Sequence, residues 1–409
     1  MNILFIFIFS FLTRALLLFW MQYVNPGGYL DALVRVDEAR YIASAYQLTA
    51  LLRNNILWDV PLYPFFLKIF FSLFGPSVHV AIWLNIGLFS IFVCLVYLVS
   101  KCLFEQKAAV CSAILIIFHP TWLLFGFRPV PEPLSACLLL LAFYIMLQYF
   151  QRSYVRYVLA ISISLALLAL TKESFLISPV IASFLFIFLR RIALKQALIH
   201  VLYCCIGYML MLSPLCLFNY ATHNRFTLSQ KTTVSVEDRL GLPDVREGEN
   251  TATQLLFGAV ERQRAIINSS IRYGPYWDVK KRMFIGTGVM QLMMAFGYDS
   301  APLRPYVNKP ILFLREILHF SWPWILYQYF ATIYLVIVYL SSFLAMLLLV
   351  KAGRLKEIIS FLLFIFIFLY VYINFFVPRY FLLFAPFLIM LSSYGVVTIC
   401  SSIKCRKVR

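Results

Sequence analysis

Long apolar runs separated by short polar joints dominate the hydrophobic pattern of this chain. Runs of about 20 apolar residues are long enough to cross a membrane as helices. The first run has neither the basic start nor the small-residue cleavage site of a signal peptide, which predicts an uncleaved first span. In all, the pattern predicts ten spans, at 3–22, 77–100, 108–127, 134–150, 157–172, 174–189, 197–218, 327–350, 357–377 and 380–402.

Two further apolar segments are predicted to lie in the membrane interface rather than to cross the bilayer. Residues 61–75, PLYPFFLKIFFSLFG, are short, carry Lys68 in mid-run and end at a Gly-Pro pair. Residues 309–326 carry four titratable side chains. Counting either segment alone as a span would reverse every later loop and would break the sorting of charges between the two faces.

The short polar joints sort by charge into a basic face and an outer face. A basic joint follows every second span. By the positive-inside rule these joints are cytoplasmic, together with both termini. They account for much of the net charge of +18, which is therefore a membrane-orienting charge and not a nucleic-acid footprint. The cations of this face are Lys101, Lys107, Arg152, Arg156, Arg190, Arg191, Lys195, Lys351, Arg354, Lys356 and those of the tail KCRKVR.

Composition agrees with a multispanning membrane protein. The chain is 63% hydrophobic and 13% charged, where a soluble protein has about 25% charged residues. We therefore predict an all-α polytopic fold in which 1–409 is a single membrane domain with no soluble domain. Its outer face holds a first loop at 23–76 and a long loop at 219–326. The sequence shows no Gly-rich phosphate loop, which argues against an NTP-driven enzyme or pump.

Two adjacent carboxylates, Asp37 and Glu38, stand in the stretch VRVDEARYIASAYQL soon after the first span. If this stretch is helical, Asp37 and Tyr41 share one face and Glu38 points about 100° away. One interpretation is a pair of loop acids that solvate the end of a helix. The other is a general base that faces a cavity at membrane level, where a low dielectric can tune a carboxylate.

Charges in the short outer turns allow a similar pair of interpretations. Arg128 and Glu132 share one turn, Lys172 ends a predicted span, and Arg379 lies between two spans. A lone Lys or Arg at a helix end commonly extends to the interface, but charges at membrane depth also mark cavities and partners. The phosphate of a lipid substrate would give these cations an anionic partner. His119, before a proline, is predicted to be a packed core residue rather than a ligand.

The order of these pieces resembles the GT-C membrane glycosyltransferases of the protein mannosyltransferase and aminoarabinose transferase type. DEARYIASAYQL follows the first span, and PLYPFFLKIFFSLFG follows as an interfacial helix. HPTWLLFGFRPVPEPLSACLLLLAFY resembles the end of the third span and the start of the fourth, and RYFLLFAPFL resembles the last outer turn. Each motif alone is weak, but four in the right order cover nearly the whole chain.

The resemblance implies a GT-C-like fold and a catalytic base at Asp37, with Glu38 as its neighbour. The implied donor is a polyprenyl-phosphate-linked monosaccharide, the acceptor an unidentified hydroxyl, and the transfer an inverting one at the outer face of a bacterial inner or plasma membrane. No cofactor is implied with certainty, and a divalent cation bridging Asp37 and the phosphate stays open. Together with the pattern of charges, the resemblance predicts substrate binding by Arg379, Tyr380, Lys68, Tyr41, Tyr63, Glu132, Arg128 and Lys172.

The chain also departs from this pattern. Relatives of the aminoarabinose type have a Lys-Pro-Pro turn before the second interfacial helix, where this sequence has Asp59-Val60-Pro61. Lys68 or Arg379 would have to replace the missing phosphate-binding lysine. With no appended soluble domain, acceptor recognition is expected to come from 219–326.

Two other functions remain as alternatives. An O-antigen-type polymerase or ligase also has about ten spans and relies on arginines in a long outer loop. A lipid or sugar transporter would usually show repeated halves and broken spans near the midplane; no duplication is visible here, and the candidate polar residues cluster at one face. The arginines relevant to the first alternative are Arg239, Arg246, Arg262, Arg264, Arg272 and Arg282.

Overall fold

A computed structural model of the chain describes residues 2–24, 36–54, 56–188, 192–230, 322–353, 383 and 385–407. Within these residues the regular structure is entirely helical, which confirms the predicted all-α class. A short 3₁₀ helix, Glu173–Phe175, follows the ninth α-helix. The α-helices are α1 Ile3–Val24, α2 Val36–Tyr46, α3 Leu48–Asn54, α4 Leu62–Phe74, α5 Val78–Leu103, α6 Gln106–Ile117, α7 Pro120–Phe125, α8 Glu132–Arg152, α9 Val155–Thr171, α10 Ser178–Phe188, α11 Leu194–His223, α12 Trp322–Lys351 and α13 Ala385–Lys407.

Five of the described helices, α1, α5, α8, α11 and α12, are long and apolar enough to cross a membrane. Shorter apolar helices, among them α6, α9 and α13, occupy other predicted spans. The segment 61–75 is helical as predicted, and its end at Gly75 has a φ of 84° that favours glycine. The predicted span 357–377 lies outside the described residues. Of the predicted segment 309–326, the part from Trp322 onward belongs to α12.

The predicted continuous span 108–127 is wrong, because two helices replace it. α6 ends at Ile117, and α7 begins at Pro120 after His119 in extended conformation, with φ of −61° and ψ of 124°. A proline has no N–H to donate, its ring collides with the carbonyl four residues earlier, and it disfavours the helical region for the preceding residue. His119 is buried and its Nδ1 accepts a hydrogen bond from the backbone N of Trp122, so the core interpretation of His119 is confirmed.

Side chains from distant helices satisfy the backbone at this break. A guanidinium N–H of Arg14, in α1, donates to the carbonyl O of Ile117 over 2.7 Å. The hydroxyl of Tyr334, in α12, donates to the carbonyl O of Leu115 over 2.6 Å. Non-helical backbone at membrane depth is tolerated where protein groups of this kind satisfy it. The break is therefore held from both sides by the surrounding bundle.

The predicted span 174–189 does not begin as one continuous α-helix. The chain first forms the 3₁₀ helix and then α10, which has 11 residues. The delayed start agrees with Pro179, which is favoured in the first turn of a helix and not in its interior.

The helices pack as a bundle whose central members are α5, α8 and α9. α5 packs against α1, α6 and α8, α9 packs between α8 and α11, and α12 packs on α13. The short helices α2 and α4 pack against each other at the end of the bundle where α8 begins and α9 ends. We call this end the loop end. At the opposite end of the bundle, the last turns of α5 and α8 carry Lys101 and Arg152, two of the predicted cytoplasmic cations.

Candidate active site

Helix α2 gives the two adjacent carboxylates different surroundings. Both lie in its first turn, where the helix dipole favours negative charge. The side chain of Asp37 is 27% exposed, whereas that of Glu38 is 2% exposed. The 100° separation expected for neighbours on a helix places one acid at the surface and the other in the interior. Asp37 is therefore the carboxylate that can meet a second molecule.

Glu38 forms a buried ion pair with Arg128. Its Oε1 lies 2.6 Å from Nη2 of Arg128, and the arginine side chain is 11% exposed. The guanidinium carbon also lies 4.8 Å from the centre of the Phe125 ring, a cation–π contact. A charge-assisted contact with so little access to water fixes both side chains. It joins α2 to the turn between α7 and α8.

Arg40 joins Asp37 to a second acid that sequence reasoning did not place in the site. Its Nη1 lies 3.3 Å from Oδ1 of Asp37, and its Nε donates over 2.7 Å to Oδ2 of Asp59. Burial acts to lower the pKa of Arg40, but the charges of Asp59, Tyr41 and Asp37 outweigh it and the pKa is raised. Where the Lys-Pro-Pro turn was expected, this chain thus has Asp59, which holds Arg40 beside Asp37. We call Asp37, Arg40 and Asp59 the rim of the site.

Two tyrosines and an asparagine connect the rim to the interior. The rings of Tyr41 and Tyr63 meet edge to face, with centroids 5.5 Å apart. The hydroxyl of Tyr63 donates to Oδ1 of Asn85 over 3.2 Å, and burial raises the pKa of Tyr63, so the hydroxyl stays protonated. The Nδ2 of Asn85 donates to the carbonyl oxygens of Arg128 and Val130. This bridge fixes the turn that carries Arg128.

A second buried ion pair lies at the start of α8. Nζ of Lys172, just after α9, lies 3.1 Å from Oε1 of Glu132, whose side chain is 2% exposed. Glu132 is the first residue of its helix, a position that favours a carboxylate. Beside this pair, Ser229 donates to Oε1 of Glu173 over 2.6 Å. We call the two buried pairs, Glu38 with Arg128 and Glu132 with Lys172, the floor of the site.

The structure brings most of the predicted site residues together at the loop end. One expectation is wrong: Arg128 and Lys172 do not lack anionic partners, because each pairs with a carboxylate. Lys68 lies on α4, half-buried, and forms no ion pair with any carboxylate of the described residues. Arg379 and Tyr380 lie outside the described residues. The predicted residues that take part in these contacts are Asp37, Glu38, Tyr41, Tyr63, Arg128, Glu132 and Lys172.

Sequence reasoning missed three residues that organise the site. Asp59 was noticed only as a departure, Asn85 as part of a span, and Arg40 as part of a motif. The signal for Asn85 was its amide in the apolar first half of a span, where polar groups usually have a partner. As for metals, the described residues contain no cluster of three or more His, Cys, Asp or Glu suited to an ion.

Comparisons with known proteins bear on the fold. Residues 59–218 match the family model described as dolichyl-phosphate-mannose-protein mannosyltransferase, a GT-C family. The chain has the GT-C fold. The resemblance to GT-C membrane glycosyltransferases is thereby confirmed, together with the polytopic all-α class. The matched range contains Asp59, Arg128 and Lys172 but begins after Asp37 and Glu38.

Solved structures of the Archaeoglobus fulgidus oligosaccharyltransferase share this architecture. One, of AglB in complex with an inhibitory peptide and a dolichol-phosphate, has 12% identity and a TM-score of 0.55, covering 98% of this chain and 51% of that one. Another, in complex with Zn and sulfate, has 14% identity and a TM-score of 0.57, covering 97% of this chain and 50% of that one. This chain thus spans about half the length of these enzymes, and at such identities the likeness establishes the fold alone. No curated protein matches its sequence.

Proposed function

We propose that this protein is an inverting glycosyltransferase that moves a monosaccharide from a polyprenyl-phosphate carrier to an acceptor hydroxyl. One observation carries the proposal: of two adjacent acids at the loop end of a GT-C fold, one is neutralised and buried and the other is accessible. The match to a mannosyltransferase family and the likeness to an enzyme solved with dolichol-phosphate support a lipid-linked donor. The basic joints support placement of the site on the outer face, with both termini cytoplasmic.

Asp37 is the proposed general base. Its carboxylate accepts the proton of the acceptor hydroxyl while the oxygen attacks C1 of the sugar. The new bond joins C1 to the acceptor oxygen, the bond from C1 to the phosphate oxygen breaks, and polyprenyl phosphate leaves with the electron pair. Attack opposite the leaving group inverts the configuration at C1. Arg40 stabilises the negative charge of Asp37 and holds the carboxylate in place.

The leaving phosphate needs a cation outside the buried pairs. Arg128 and Lys172 already neutralise Glu38 and Glu132. Lys68 and Arg379, with Tyr380, are therefore the proposed phosphate contacts, since developing charge is best met by groups that are not already committed elsewhere. Arg128, Lys172, Glu132, Tyr41 and Tyr63 then shape the walls against which the sugar binds.

The substitution Asp37→Asn tests the proposal. Asparagine is nearly isosteric, and the position is partly exposed, so the variant is expected to fold normally and lose the general base. Removal of such a base typically lowers the rate by about 10² to 10⁴-fold. The measurement is sugar transfer from a panel of polyprenyl-phosphate monosaccharides by purified protein, normalised to material that elutes as one folded species.

Asn219→Ala is a suitable control, because Asn219 is buried, its amide donates to the carbonyl of Thr227, and it belongs to neither the rim nor the floor. It removes a buried polar side chain at the same end of the bundle and leaves the proposed base intact. Its rate per folded molecule is expected to stay close to that of the parent. Full activity of Asp37→Asn on every donor that the parent uses would remove the catalytic centre from this proposal.

A further inference from the structure

Arg14 is a fully buried charge in the first span, and the mechanism does not use it. It lies near the middle of α1, on the same helix stripe as the buried residues Ile6, Ser10 and Leu18. Ionisable residues inside a membrane bundle are costly to bury and usually have a specific task. In the described part of the chain it donates a hydrogen bond to the carbonyl of Ile117 and stacks on an aromatic ring, and no carboxylate pairs with it.

The guanidinium reaches the segment before α7. It donates to the carbonyl O of Ile117, the last residue of α6. A cation is favourable at the C-terminus of a helix, where the carbonyls of the last turn lack partners within the helix. Its carbon also lies 4.1 Å from the centre of the Phe89 ring in α5, which holds the planar group in one orientation.

The same guanidinium also packs against the segment after α7. A Cβ added to Gly126 would lie 3.0 Å from Nε of Arg14, 2.7 Å from the carbonyl O of Trp122 and 3.1 Å from the Phe89 ring. The backbone of Gly126 is in the ordinary right-handed helical region, with φ of −68°. Space, and not conformation, therefore requires glycine here. Arg14 therefore contacts Ile117, at the end of α6, and Gly126, directly after the six-residue helix α7.

The turn that Arg14 supports continues directly into the site. Arg128 follows Gly126 by two residues, pairs with Glu38 and stacks on Phe125, the last residue of α7. We propose that Arg14 is a positioning residue, which braces both ends of α7 from within the first span and thereby sets Arg128 opposite Glu38. The catalytic meaning of this brace rests on the proposed glycosyl transfer, but the brace itself can be measured without turnover.

Thiol accessibility in the turn tests the brace. Val130 is buried in the turn, and Ala169 is buried in α9 at the same end of the bundle. Val130→Cys and Ala169→Cys are each combined with Arg14→Met, which removes the charge and the donors and keeps an apolar side chain of similar length. Purified proteins in detergent are treated with a maleimide, and modification at each introduced cysteine is followed by mass spectrometry.

Arg14→Met is expected to speed modification at residue 130 by about tenfold, because local opening of the turn becomes easier, and to leave residue 169 within twofold. Arg14→Lys keeps a cation and a donor for Ile117, so it is expected to restore much of the protection. Gly126→Ala keeps Arg14 but adds a methyl group against it, so it is also expected to expose residue 130. It is the test variant if Arg14→Met does not yield folded protein.

Equal exposure of residues 130 and 169 in Arg14→Met would overturn the proposal, since it would show general loosening. Unchanged protection of residue 130 in Arg14→Met or, where that variant does not fold, in Gly126→Ala would overturn it as well. The labelling result stands even if Asp37→Asn proves fully active, so the brace and the proposed function can fail separately. In the transfer assay, Arg14→Met is expected to lower kcat about tenfold with KM within twofold, as misplaced groups do; an unchanged kcat would detach the brace from catalysis.

Discussion

The rim and the floor of the site both place acids beside cations, but of their acids only Asp37 of the rim is substantially exposed, since the side chain of Asp59 is 8% exposed. In the rim, the side chains of Asp37 and Arg40 are 27% and 17% exposed. In the floor, the side chain of Glu38 is 2% exposed, and that of Glu132 is 2% exposed as well. A floor acid can meet a substrate only if its ion pair first breaks, whereas Asp37 can do so directly. Of these two adjacent acids, Glu38 therefore stabilises the fold, and Asp37 is the proposed reacting group.

The largest effect on stability is expected from breaking a floor pair. Arg128→Met leaves Glu38 buried without its cation, which typically costs about 3–5 kcal/mol of folding free energy. The double variant Glu38→Gln with Arg128→Met removes both charges and is expected to recover a large part of that loss. Thermal unfolding in detergent measures both. A double variant no more stable than Arg128→Met would contradict the assignment of this pair to architecture.

A smaller effect, of the opposite kind, is expected at the rim. Arg40→Gln removes the partly exposed ion pair with Asp37 and leaves the buried Asp59 with an amide in place of its cation, so the free energy of unfolding should fall by about 1–3 kcal/mol. The transfer rate should fall by about 10- to 100-fold, because Asp37 loses the group that holds it. Arg53→Gln, at the exposed end of α3, is the matched control and should change neither. A large loss of stability with an unchanged rate per folded molecule would assign Arg40 to the floor.

The smallest effect is expected from cations outside both pairs. Lys68→Ala and Arg379→Ala should each raise the KM for the lipid donor by about tenfold, because a charge-assisted contact with phosphate is lost, with little change in unfolding. Lys107→Ala, at the opposite end of the bundle, is the control. If both variants keep the KM of the parent, then the phosphate binds elsewhere, and the floor lysine Lys172 becomes the next residue to test.

Local pattern predicted the helices and the position of the acidic pair well. The apolar runs gave most helices within a few residues, and the helical spacing correctly separated Asp37 from Glu38. These features depend on neighbours in sequence, which hydrophobic periodicity reports directly. Where a proline stood inside an apolar run, as at Pro120, hydrophobicity alone predicted a continuous helix and failed.

Partners distant in sequence could not be predicted in this way. Arg14 lies 103 residues from Ile117, and Lys172 lies 40 residues from Glu132. Nothing near Lys172 in sequence indicates Glu132 as its partner, so the sequence left only interfacial exposure or a ligand anion as interpretations of this lysine. The role of Asp59 was missed for the same reason, because the packing of α2 on α4 is what brings Arg40 beside it.

The capped break between α6 and α7 also has a consequence for the order in which the chain is made. Tyr334, which caps Leu115, follows it by 219 residues. At about 5–20 residues per second of synthesis, the Leu115 carbonyl waits roughly 10 to 45 seconds for that hydroxyl. Arg14, by contrast, has been synthesised before the break appears, so the first span can support the carbonyl of Ile117 throughout that interval. Arg14, which is made early, can thus satisfy one carbonyl of the break before Tyr334, which is made late, satisfies the other.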